Sequence, residues 1–189
     1  MRLSIVAALA TTTALVACDS SAPTELPPGS PTASANRGVT ASTTGGGKAQ
    51  LPAGFSLLSF SFNAKTKADG SASGEFRQVY VSGGGSVDFK GTVTCVSFDP
   101  LLGRAWIGGV ITQNNSTNPA VLLPIHQPGR DVWFRVVDNG EGQSPDDGTT
   151  VFGFEGGGGI ITSEQYCQDR IWNPATTWAV VDGNIQVRP

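Results

Sequence analysis

An all-β domain, an antiparallel β-sandwich or a small β-barrel of seven to nine strands, is the fold class this sequence predicts, and three observations predict it. Glycine fills 25 of 189 positions while charged residues make up only 14%, the composition of turn-rich sheets rather than of helices built from Glu, Lys, Leu and Ala. Apolar and polar residues alternate with period two over several runs. Glycine and proline punctuate those runs at spacings of about ten residues.

The chain opens differently. Met1 and Arg2 form a minimal basic region, and Leu3 to Val16 is apolar apart from small hydroxyl residues such as Ser4 and Thr11 to Thr13. This reads as the core of a signal peptide over residues 1–17. It is shorter than the roughly 20 residues a helix needs to cross a bilayer. Leu15-Val16-Ala17-Cys18 resembles the lipobox of bacterial lipoprotein signal peptides: a large aliphatic residue, a small residue at the cleavage point, then cysteine. The resemblance implies a diacylglycerol thioether on Cys18, cleavage before it, and a membrane-anchored, exported envelope protein. Two or three acyl chains hold a protein stably where one does not. Asp19 resembles the inner-membrane retention signal of enteric-type envelopes, a rule that does not carry to all bacteria, so the leaflet stays open.

Residues 18–50 are rich in Ser, Thr, Pro, Ala and Gly with almost no large apolar side chain, and read as a flexible tether unable to offset its ordering entropy. The β-domain is expected from 51 to 189. Leu58, Phe60 and Phe62 alternate with serines, which predicts a half-buried strand. Ala68-Asp69-Gly70-Ser71 is a turn, Phe76 to Val81 a strand, and Gly83-Gly84-Gly85 a break. Val87, Phe89, Gly91, Val93 and Cys95 then alternate with polar residues, one face core and the other solvent. Ala105 to Thr112 is apolar on both faces around Gly108-Gly109, predicting a central strand bent or bulged at the glycines. Val121 to Ile125 is expected as a short edge strand. Val132 to Asp138, Thr150 to Phe154, Trp178 to Val181 and Ile185 to Val187 complete the set. Ser163 to Ile171 is the one expected helical turn, with Ser163 as its cap.

With Cys18 assigned to lipid, Cys95 and Cys167 remain as a pair in an oxidising compartment, and a disulfide is the natural reading. Free buried thiols are the alternative. A catalytic thiol is disfavoured because the single histidine, His126, has no visible link to either cysteine.

Net charge is −3, or −4 once Arg2 leaves with the signal peptide, and the basic residues are scattered. Nucleic acid is therefore not an expected partner. The loop from Asp138 to Gly148 gathers oxygen donors, so Asp138, Asn139, Glu141, Asp146 and Asp147 are weak calcium candidates. The ligand register of an EF-hand is missing, and a hairpin loop with an Asn-Gly turn asks for the same residues. No metal or other cofactor is assigned. His126, framed by prolines, is read as a surface residue rather than a general base. Two facing carboxylates among Glu75, Asp88, Asp131, Glu141 and Glu155 would be enough for glycoside hydrolysis, but the sequence selects no pair. Ser86 lacks the strand-turn-helix context of an activated serine. Of four tryptophans, Trp106 and Trp133 read as core. Trp172 and Trp178, in an irregular region near Pro174, are the candidates for exposed stacking against a ligand.

Phe60 to Ala64, Gly91 to Cys95, Trp106 to Val110, Phe134 to Gly142 and Gly183 to Val187 together resemble a recurring exported bacterial domain of uncharacterised activity. The likeness covers about 130 residues of this chain. It supports the domain and the Cys95–Cys167 pairing and implies no substrate. Three function classes follow from these readings. The first is a membrane-tethered binding module with an envelope protein or glycan partner. The second is an envelope enzyme acting on glycan or peptide, and the third a structural lipoprotein.

Overall fold

The computed structural model describes residues 38–188, apart from 142–145, 157, 158 and 161. The signal segment, Cys18 and the tether up to residue 37 lie outside the described residues. The strands are β1 (Val39–Ala49), β2 (Leu58–Lys67), β3 (Ala72–Ser82), β4 (Gly85–Asp99), β5 (Arg104–Asn114), β6 (Asp131–Val137), β7 (Gly148–Thr149), β8 (Gly153–Phe154) and β9 (Trp178–Arg188), and α1 (Ser163–Asp169) is the one α-helix among the described residues.

All pairings are antiparallel, and β1 through β6 follow one another as a meander. The sheet does not open into two layers. β6 pairs with β7, β7 with β9, and β9 with β1, so the ring closes as a barrel, while β8 pairs with the first half of β6. Closure removes the exposed sheet edges that a sandwich of this length would leave.

The strand patterns explain the closure. β2 alternates strictly between buried and exposed from Leu58 to Lys65, which puts Leu58, Phe60, Phe62 and Ala64 inside. Phe76, Phe89, Phe134 and Phe152 join them, along with Ile107, Ile111 and Ile185. The phenylalanines meet edge-on, with Phe76–Phe152 at 5.1 Å and Phe62–Phe134 at 5.4 Å between ring centres. Aromatic contacts of this geometry are worth about 0.5–1.5 kcal/mol each beyond burial. A barrel of roughly eight strands has an interior that side chains can fill, and glycines make the room here. A Cβ on Gly91 would lie 2.1 Å from the Phe76 ring, and one on Gly45 2.6 Å from the Phe62 ring. The lumen is thus a packed core.

β5 and β6 are buried on both faces. Their outer face carries Trp106 and Trp133, which pack with Ile160, Tyr166 and Trp172 beneath α1. Tyr166 stacks on Trp133 at 5.7 Å. The helix is tied down by the disulfide between Cys95 and Cys167.

Several expectations change. The segment Val39–Ala49 belongs to the barrel, not to a tether ending at residue 50: its polar, glycine-rich strand offers little apolar surface and is fixed by backbone pairing to β2 and β9. The predicted edge strand Val121 to Ile125 is instead two 3-10 turns, Pro119–Val121 and Pro124–His126, because proline withholds the N–H a strand needs. Trp178 to Val181 and Ile185 to Val187 are one strand, β9. Thr162, not Ser163, caps α1, its hydroxyl accepting from the Gln165 N–H. The irregularity expected at Gly108-Gly109 lies opposite them, in β4, where the register slips between Val93 and Cys95. One extra residue, Thr94, turns Cys95 from the core face to the outer face, within reach of α1.

Candidate ligand groove

The connection from α1 to β9 is held on the outer wall by two side chains. Trp106 donates its indole N–H to the Ile171 carbonyl at 2.8 Å. Arg135, buried in the middle of β6, donates to the Asn173 carbonyl and to the Thr176 hydroxyl. The Asn173 side chain accepts from the Ala175 N–H and caps the 3-10 turn that follows. Tyr166, whose phenol burial pushes above its usual pKa, lies beside the same guanidinium.

Between this connection and the β6–β7 loop runs a groove of about 550 Å³, lined among others by Arg104, Asn139, Asp146, Trp172, Thr177 and Trp178. The two tryptophans singled out from the sequence and part of the oxygen-rich loop therefore meet in one place. Trp172 is not a bare platform: the Arg104 guanidinium lies 4.0 Å over its ring, Arg135 lies at 5.4 Å, and Trp106 meets its edge. Trp178 is half-buried and packs against the barrel core. The element that faces the groove with open bonding capacity is Arg104. Its buried Nε has no hydrogen-bond partner, and its guanidinium enters no ion pair among the described residues.

The acidic loop holds itself together instead of converging on a cation. Asp147 accepts from the Asn139 and Ile185 N–H groups at 2.9 and 2.7 Å. Asp138 accepts from Gly140 and Val187 N–H, both at 2.9 Å. Glu141 accepts from the Asn184 amide, and the Asn139 side chain donates to the Asp146 carbonyl. Asp138 and Asp147 thus clamp the loop to β9. Among the described residues, no three His, Cys, Asp or Glu side chains are grouped to hold a metal ion. Of the expected Asn-Gly pair, Gly140 takes the left-handed conformation, at φ +87°.

The other sequence candidates have partners of their own, and two of them lie side by side. Glu75 faces Lys90, Asp88 forms a two-pronged pair with Arg77, and Glu155 faces Arg130 while accepting from the Asp131 N–H at 2.9 Å. Asp131 accepts from the Ser163 hydroxyl. Ser86 bonds Thr117. His126 is buried rather than on the surface, because the turn that carries it folds over one mouth of the barrel. Its ring sits 4.3 Å from that of Phe154 and 6.2 Å from that of Phe89, with Nδ1 unpartnered. Desolvation holds its pKa below the ordinary value.

Sequence reasoning did not select Arg104 or Arg135. A lone arginine inside Val132-Trp133-Phe134-Arg135-Val136-Val137 was a visible signal, since a cation at a buried strand position needs partners. Arg104, at a strand start, carried none. The chain matches no protein-family profile, no curated protein and no solved structure.

Proposed function

We propose that this chain is a lipid-anchored envelope protein whose barrel serves as a binding module, with the outer-wall groove taking a carboxylate-bearing ligand. The lipobox-like Leu15 to Cys18 supports the anchor, and the Cys95–Cys167 disulfide suits an oxidising compartment. The packed lumen directs ligand binding to the outside of the barrel. The observation that carries the reading is Arg104: a guanidinium backed by Trp172, in no ion pair among the described residues, lines a groove whose Asp147 carboxylate is already hydrogen-bonded. A planar fork of N–H donors matches a carboxylate in two-pronged geometry.

Two measurements test it. Palmitate labelling of the chain should be lost in Cys18→Ser, and labelling that persists in that variant refutes the anchor. Tryptophan fluorescence should respond to short peptides with free carboxy termini and to uronic-acid oligosaccharides. The response should weaken at least tenfold in Arg104→Gln and for amide-capped peptides, the scale of a lost charge-assisted hydrogen bond. Equal response of capped and free probes, or of wild type and Arg104→Gln, refutes the groove.

A further inference from the structure

We infer that the β4–β5 hairpin tip docks on the lipid bilayer surface through Leu101 and Leu102, an inference that rests on the proposed acylation of Cys18. Leu101 is 94% exposed and Leu102 51%. At this hairpin tip Leu101 buries almost nothing and Leu102 only about half of its surface, and polar or glycine residues would form the turn as well. Gly103, at φ +59°, supplies the left-handed position, and Asp99 accepts from the Leu102 N–H, so the tip is fixed without help from the leucines.

The meander decides which end of the barrel this is. The chain enters the barrel at Gly38, whose carbonyl accepts from the Ala68 N–H in the β2–β3 turn. In an antiparallel meander the start of β1, the β2–β3 turn and the β4–β5 turn share one end, and the β3–β4 turn and the β5–β6 connection share the other. The leucine tip therefore lies on the end from which the chain leads back toward Cys18. An anchor on that side brings this end to the bilayer first. The other end also exposes apolar residues, Leu122 at 47% and Leu123 at 52%, but lies a barrel length further from the entry point.

Charge does not drive the contact. The tether end carries Lys65, Lys67, Arg104 and Arg188 beside Asp69, Asp99, Asp138, Glu141 and Asp146, no basic surplus, so the attraction is apolar and largely insensitive to salt. Arg104 follows the tip by two residues, which sets the groove next to the headgroups.

The test places a fluorescent reporter at each end of the acylated full-length protein: Leu101→Trp or Leu122→Trp, in vesicles of phosphatidylcholine with or without brominated acyl chains. Both positions are exposed, so neither change disturbs the fold. The fluorescence added by Leu101→Trp should be quenched at least twofold more than that added by Leu122→Trp, and raising salt to about 1 M should leave the difference intact. Equal quenching, or stronger quenching at Leu122→Trp, overturns the inference. Flotation of the wild-type chain with vesicles separates this from the anchor reading. Should it not float, the chain beginning at residue 18 with Cys18→Ser and Leu101→Trp is mixed with excess brominated vesicles. Quenching there supports docking by the hairpin itself, and its absence overturns it.

Discussion

Removing the disulfide by the double change Cys95→Ala and Cys167→Ala should cost about 4 kcal/mol of stability. The bridge joins residues 72 apart in sequence, and closing a loop of that length in the unfolded chain removes conformational entropy worth about that much at room temperature. The change adds little in the folded state, because the barrel closes without the bridge and α1 keeps the stack of Tyr166 on Trp133. A domain of this size has a stability of about 5–15 kcal/mol, so the loss is a large share of it. Urea unfolding followed by tryptophan fluorescence measures it. With a slope of about 2 kcal/mol/M, the midpoint should fall by about 2 M. A fall below about 0.5 M at unchanged slope would refute the reasoning, since it would mean the unfolded chain gains little freedom when the bridge is cut. Separate loss of the α1 signal before the barrel melts would refute the claim that aromatic packing holds the helix in place.

Two further predictions concern the core. His126 is the one histidine in the chain, and burial lowers its pKa. Its neutral form therefore contributes stability that is complete above the unfolded value of about 6.5 and is lost as pH falls from there through the depressed folded pKa. The melting temperature should fall over that window, and His126→Phe, which suits the apolar surroundings of Phe89 and Phe154, should flatten the pH dependence. An unchanged profile in the variant would reject the assignment. For the glycines, Gly91→Ala forces a Cβ to within 2.1 Å of the Phe76 ring and 2.5 Å of the Val110 carbonyl, whereas a Cβ on Gly83 meets nothing within 4 Å. Gly91→Ala should destabilise by about 1–3 kcal/mol, and Gly83→Ala should be neutral or stabilising by up to about 1 kcal/mol. Thermal melts that rank the two in the opposite order would contradict the packing described for the lumen.

The sequence alone determined the secondary-structure class, because period-two alternation and glycine-punctuated turns are local signals. Leu58 to Phe62 and Val87 to Val93 declared their core faces in this way. Cysteine number and the lipobox-like motif pointed to the Cys95–Cys167 pairing, which the structure contains. What local pattern does not hold is pairing between distant strands. β1 has almost no apolar periodicity, and only its hydrogen bonds to β2 and β9 make it a strand, so sandwich and barrel could not be told apart until that closure was visible. The one-residue slip at Thr94 turns Cys95 outward against a straight reading of the alternation. The groove has the same origin. Trp172 and Trp178 were legible as irregularly placed aromatics, but Arg104 lies 68 positions before Trp172 in the chain. Only the tertiary fold, by wrapping the α1–β9 connection over β5 and β6, sets that guanidinium on the indole beside the groove.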